Sequence, residues 1–190
     1  MAFWTDKNTE PKRKFRFRVQ IFDQSVAWYC KSITAPSFEI SSIEHHFSDH
    51  VFHYPGKIKW SDVEIVLVDP AGDDDVVNKT LNLLELSGYN IPKTGAGPND
   101  FDTFSKADLV NNNGNVILEA ISQDGNEVLE RWTLNNAFVT NVKFGDFDYA
   151  SEDLRDISLT LKYDWASCEF PGNQTGTPTG DFFTKGPNNG

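Results

Sequence analysis

Strict alternation of apolar and polar residues recurs along this chain and constrains its fold more than any other feature. Phe15, Phe17, Val19 and Ile21 alternate with Arg16, Arg18 and Gln20. A period of two marks a strand with one buried face. Val63, Ile65 and Leu67 alternate with Asp62, Glu64 and Val66, and Asp156, Ser158 and Thr160 form the polar side of a run from Leu154 to Trp165. The segments Val26–Ile33, Phe38 to about His46, Val116–Ser122, Val128–Leu134 and Phe138–Phe144 also read as extended. A further strand begins near Val51, is interrupted at Pro55-Gly56 and continues from Ile58 to Val68. Turn chemistry separates these runs at Asp23-Gln24-Ser25, Asn111–Gly114 and Gln123–Asn126.

One segment reads as a helix. Asp73, Asp74 and Asp75 supply an N-cap and acids for the positive end of the dipole, and Val77, Leu81 and Leu84 then recur at helical spacing, flanked by Val76 and Leu83. Gly88 is a natural stop. About eight strands and one helix predict an all-β chain with one α-helix, built as a β-barrel or sandwich. At 190 residues it suits a single domain. Residues 1–14 read as an arm, 15–170 as the β domain, and 171–190, rich in Gly, Pro, Thr and Asn, as a tail.

With 17 basic and 28 acidic residues, the chain carries a formal charge of −11. That disfavours a nucleic-acid reader, which needs a basic face for phosphates, and docking on anionic lipid. No apolar run reaches the roughly 20 residues of a bilayer span, and the first residues lack the apolar stretch of a secretion signal. Two cysteines, Cys30 and Cys168, are too few for a disulfide scaffold and suit a reducing cytoplasm as the place of synthesis.

Chemistry has few footholds. All four histidines, His45, His46, His50 and His53, fall within nine residues beside Glu44 and Asp49. They are right for zinc by ligand type. In a continuous strand His46 and His50 share one side and His45 and His53 the other, which splits the cluster. An exposed polar hairpin and a pH-sensitive contact are the other readings. Cys30 reads as a buried inert thiol and Cys168 as an exposed one. Gly95–Gly97 lacks the lysine of a phosphate loop. Trp28, Trp60 and Trp132 sit in strand-like runs that suit core packing, with glycan or nucleotide binding as the alternative. No catalytic residue, metal or cofactor is expected.

Two stretches resemble one family. Trp28–Asp69 contains Cys30-Lys31, the Ala35-Pro36 break, an extended hairpin and the strand Trp60-Ser61-Asp62-Val63-Glu64-Ile65. Glu130–Trp165 contains a Trp strand, a stepped strand at Val139–Val142, the acidic-aromatic turn Asp146–Ser151 and a closing strand to Tyr163-Asp164-Trp165. Together they resemble the tail-tube proteins of contractile-tailed phages, related in fold to the type VI secretion tube protein.

The resemblance implies a non-enzymatic structural subunit. It would form hexameric rings that stack into a hollow tube, inside a contractile sheath, with genomic DNA passing down the bore. Implied partners are further copies of the chain, the tail sheath protein, a baseplate or tube initiator, and a tail terminator. The implied location is the virion tail, after assembly in the host cytoplasm. Ser42–Lys59 maps onto the element that reaches the next ring, with His46, His50, Val51, Phe52 and Tyr54 as its contacts. Glu39, Asp62, Glu64, Asp156 and Ser158 are candidates for the bore lining, where carboxylates would repel phosphate. The alternatives are a tube-initiator or baseplate hub subunit, a type VI tube protein, a His-rich metal-binding module and a carbohydrate-binding sandwich.

Overall fold

Every second residue of three alternating runs is fully buried: Val19 and Ile21, then Val63, Ile65 and Leu67, then Ile157, Leu159 and Leu161. Each such side chain stabilises the fold by about 1.5–3 kcal/mol through burial alone. These come from a computed structural model that describes residues 11–22, 25–89, 103–113 and 115–171. The expected turn at Asp23-Gln24, the loop Pro92–Asp100 and most of the two polar ends lie outside the described residues.

The strands in chain order are β1 (Phe17–Ile21), β2 (Ser25–Val26), β3 (Cys30–Ile33), β4 (Phe38–Phe47), β5 (His50–Trp60) and β6 (Val63–Val68). Two helices follow, α1 (Val76–Leu86) and α2 (Lys106–Asn113). The chain then forms β7 (Val116–Ile121), β8 (Val128–Asn135), β9 (Phe138–Lys143), β10 (Asp156–Lys162) and β11 (Trp165–Glu169).

A five-stranded sheet in the order β11-β8-β7-β1-β2 and a four-stranded sheet in the order β3-β6-β10-β9 share one core. Neither closes into a barrel within the single chain. The third sheet is the hairpin β4-β5 alone.

The expected single strand Val26–Ile33 is two strands. The chain bends at Trp28-Tyr29 and crosses from one sheet to the other, with Ala27 N–H bonded to Val19 O at 2.8 Å and Val68 N–H to Tyr29 O at 2.9 Å. Ala27 and Tyr29 are buried at the crossing, whereas Trp28 is 71% exposed and donates its indole N–H to Asp74. Trp28 is therefore not a core residue, while Trp60 and Trp132 do pack against the core. Phe15, one residue pair before β1, is likewise exposed.

Helix α1 begins as the aspartates predict: the Asp75 side chain accepts the Asn78 N–H at 2.8 Å. Its buried face differs from the expected one. Val76, Thr80 and Leu83 face the core and Leu81 is exposed. Asp69 helps fix this rotation by accepting the Val76 N–H.

Helix α2 replaces the turn expected at Asn111–Asn113. Ser105 caps its start: Ser105 Oγ accepts the Asp108 N–H at 3.0 Å and donates to the Asp108 carboxylate. The asparagines do not form a turn because Asn112 donates to Leu86 O and the buried Asn113 to Ala137 O, tying α2 to α1 and to the start of β9.

Candidate assembly surface

The hairpin β4-β5 stands off the body. All ten residues of β4 are exposed, as are all but two of β5. It is anchored at its base, where the Phe38 and Trp60 rings meet edge to face at 5.3 Å and Trp60 lies 5.9 Å from Tyr163.

Its pairing explains why the sequence alternates poorly here. Phe38 pairs with Trp60 and Ile40 with Ile58, then the register shifts between Ile40 and Ser42. Beyond the shift Ile43 pairs with Tyr54, His45 with Phe52 and Phe47 with His50. A bulge adds one residue to β5, where Gly56 and Lys57 stand opposite Ser41 alone, so β4 keeps its alternation and Phe38 and Ile40 lie on the face opposite Ile43 and Phe47. On β5, Ile58 and Trp60 share the face of Phe38 and Ile40, and Phe52 and Tyr54 share that of Ile43 and Phe47. The result is two apolar patches on opposite faces, one at the base of the hairpin and one towards its tip.

Opposite the base patch lie Glu39, Lys57 and Lys59, and the face opposite the tip patch carries Glu44. That face also carries His46 and His53, whose rings lie 3.8 and 4.0 Å from Glu44. His45 and His50 belong to the apolar face near the tip. This corrects the expected split of the histidines. The two-residue turn Ser48-Asp49 reverses the chain and pairs Phe47 with His50, so parity does not carry through from one strand to the next. Of the expected contact residues, His50, Phe52 and Tyr54 share the apolar face, while His46 and Val51, which pair with each other, lie on the other. Among the described residues no group of three or more His, Cys, Asp or Glu side chains is placed to hold a metal.

The bore candidates fall in two places. Glu64, Asp156 and Ser158 lie on the outward face of the four-stranded sheet, opposite the buried Ile65, Ile157 and Leu159. Asp62 and Glu39 instead line a hollow at the base of the hairpin, with Lys59, Lys162 and Tyr163.

The outward face is balanced in charge where an acidic one was expected. Lys31 from β3 bonds Asp156 at 2.5 Å, Lys162 lies 4.0 Å from Asp62, and Lys143 pairs in register with Ser158. Reading β6 and β10 singly omits the lysines that β3 and β9 bring beside them.

Both thiols are shielded. Burial pushes Cys30 up to about 11, and burial, reinforced by Glu130, pushes Cys168 up to about 11. Cys168 is 3% exposed, in β11 against the core, rather than an exposed thiol of the tail.

The family model of the T4-like virus tail tube protein gp19 matches residues 13–166, from just before β1 into β11. Among solved structures, the chain is similar to one in the sheath–tube complex of PVC, an extracellular contractile injection system, in the extended state. That pair is 18% identical with a TM-score of 0.62, covering 86% of this chain and 94% of that one. A chain of the PVC sheath/tube terminator is 18% identical with a TM-score of 0.63, covering 85% and 99%. The tube-terminating cap of the anti-feeding prophage also gives 18% and 0.63, covering 90% and 99%. At these identities the likeness is one of fold. No curated protein matches the chain in sequence. The family match spans far more than half of the sequence and every sheet just described, so the chain belongs to the T4-like virus tail tube protein family and is a structural tube subunit.

Proposed function

We propose that copies of this chain form hexameric rings that stack into the tube of a contractile phage tail, and that genomic DNA leaves through the bore. The observation that carries this reading is the hairpin. Phe38, Ile40, Ile43, Phe47, Phe52, Tyr54 and Ile58 are all exposed on it, and Ile43, Phe47, Phe52 and Tyr54 make one apolar face towards its tip, more than a solitary chain leaves in water without a partner. Stacking that face on the next ring buries it. His50, Phe52 and Tyr54 then contribute to the inter-ring contact directly, and His46 and Val51 line its other side.

The outward face of the four-stranded sheet is the surface we assign to the bore, with Glu64, Asp156 and Ser158 on it and Asp62 and Glu39 at its margin. Its paired lysines and carboxylates offer DNA neither a dense positive wall to grip nor a strongly repelling one. The tube works by shape and closure, without a catalytic step or a cofactor. Sheath, baseplate or initiator, and terminator proteins are the partners this reading assigns to the outside and the two ends.

Size-exclusion chromatography with light scattering tests the ring. The expected mass is six times the 21.4 kDa chain, or a larger multiple. A mass of one chain across the concentration range contradicts it.

A further inference from the structure

The apolar inner face of the five-stranded sheet extends past the edge of its partner sheet. Phe17, Leu118 and Trp132 continue the face that begins with Val19 and Leu134, but only the short strand β3 borders them. An open cleft of about 850 Å³ results, walled by these residues and Ile33, and rimmed by Arg13, Lys14 and Arg16, and by Lys31, which is paired with Asp156. Its carboxylate, Glu130, is bonded by Lys12. The cleft is thus apolar at its floor and positive at its mouth.

The segment joining β9 to β10 has the complementary character. Phe147, Tyr149 and Leu154 are all exposed, amid Asp146, Asp148, Glu152 and Asp153, with no basic residue among 146–154. The loop has a built shape. Arg155 donates to Phe144 O at 2.7 Å and to Asp69 at 3.0 Å, and its guanidinium lies 4.4 Å from the Phe147 ring centroid. Gly145 has φ 72°, and a Cβ there would lie 2.4 Å from Asp156 O, so the chain turns where only glycine fits. Asp148 and Ser151 cap the turn through Ala150 N–H and Asp153 N–H.

In the order β3-β6-β10-β9 the cleft borders one edge of the sheet and the loop leaves from the opposite side. Two different surfaces at opposite edges make a head-to-tail contact, which generates a closed ring when the rotation closes. We propose that the acidic-aromatic loop 146–154 of one copy docks in the basic, apolar cleft beside β3 of its neighbour. Tyr149 and Phe147 enter the cleft, and the loop's carboxylates meet Lys14 and Arg16. This rests on the ring reading above and supplies its lateral contact.

The test uses two full-length variants. Asp146→Lys with Glu152→Lys cancels the loop's net charge while sparing its internal hydrogen bonds, and Lys14→Glu with Arg16→Glu inverts the two rim residues that meet it. Each alone removes the charge complementarity and loses ring formation by light scattering and negative-stain imaging, with circular dichroism unchanged. Mixed in equal amounts, the two variants alternate around the ring, every contact regains opposite charges, and rings return. Tyr149→Ser, at a side chain fully in solvent, weakens association without reversing charge. Wild-type rings together with unaffected variants, or variants that mixing does not rescue, overturn the docking and leave the ring reading in place. Either outcome points to another occupant of the cleft, such as residues 1–10 of the same chain. A wild-type chain that never associates overturns both.

Discussion

Ser41 and Gly56 hold the hairpin's bulge between them: a Cβ at position 56 would lie 2.3 Å from Ser41 Oγ and 2.9 Å from Ser41 O. Ser41 Oγ occupies that space because it accepts the Lys57 N–H at 3.0 Å and bonds Lys57 O at 3.3 Å, replacing ladder bonds that the bulge removes. Gly56→Ala forces one of them to move, at about 1–3 kcal/mol for overpacking of this kind. The hairpin lies outside the core, so the unfolding midpoint of the body stays near wild type. Amide exchange across β4 and β5 quickens and tube growth is impaired. Unchanged exchange in the hairpin contradicts this.

The two faces of the hairpin predict opposite outcomes for mutations of neighbouring residues. Phe52→Asp puts a charge in the apolar face near the tip and blocks tube growth, with circular dichroism close to wild type. His53→Asn, on the other face, leaves growth largely intact. Electron microscopy of the two variants under one assembly condition makes the comparison. Equal effects of both variants would show that the faces are not distinguished.

How much of this the sequence carries depends on where the deciding interaction lies. The core strands are legible because burial repeats along each strand, as at Val63, Ile65 and Leu67. The hairpin's change of apolar face is legible on β4, where Phe38 and Ile40 fall on even numbers while Ile43 and Phe47 fall on odd ones. On β5 the bulge hides it, since Tyr54, Ile58 and Trp60 all keep even numbers and only the Pro55-Gly56 pair signals the extra residue. Helix α2 had its own signal in the spacing of Ser105 and Asp108. The charge balance of the outward sheet face was not legible, because Lys31 meets Asp156 from 125 residues away. The face of α1 depended on the reach of Asp69, which sequence periodicity does not contain.

Changing Glu64 and Asp156 together to Lys tests the bore assignment. The double variant leaves a wall rich in lysine, including Lys31 and Lys143, and each added phosphate contact slows DNA in a salt-dependent way. Virions carrying it eject DNA more slowly at low salt and recover at higher salt. Unaltered ejection at low salt removes these residues from the bore.

Asp164 gives the fold a defined acid sensitivity. It accepts from Lys106 at 2.7 and 2.9 Å and from Asn136 at 2.7 Å, and these bonds, Lys106 first, hold its carboxyl below the usual 3.8. A depressed folded value stabilises the fold fully above the ordinary carboxylate range and loses that contribution as pH falls through the depressed value. Asp164→Asn therefore lowers the urea midpoint at pH 7 more than at pH 3. A deficit that is the same at both pH values contradicts the assignment of this titration to Asp164.

The most direct measurement is negative-stain electron microscopy of the purified full-length chain at tens of micromolar, at neutral pH and moderate salt. Six-fold rings, or tubes built by stacking them, are the predicted result, with rings persisting in Phe52→Asp and tubes lost. A field of single-chain particles at every concentration would contradict the assembly of this protein into a tube by its own surfaces.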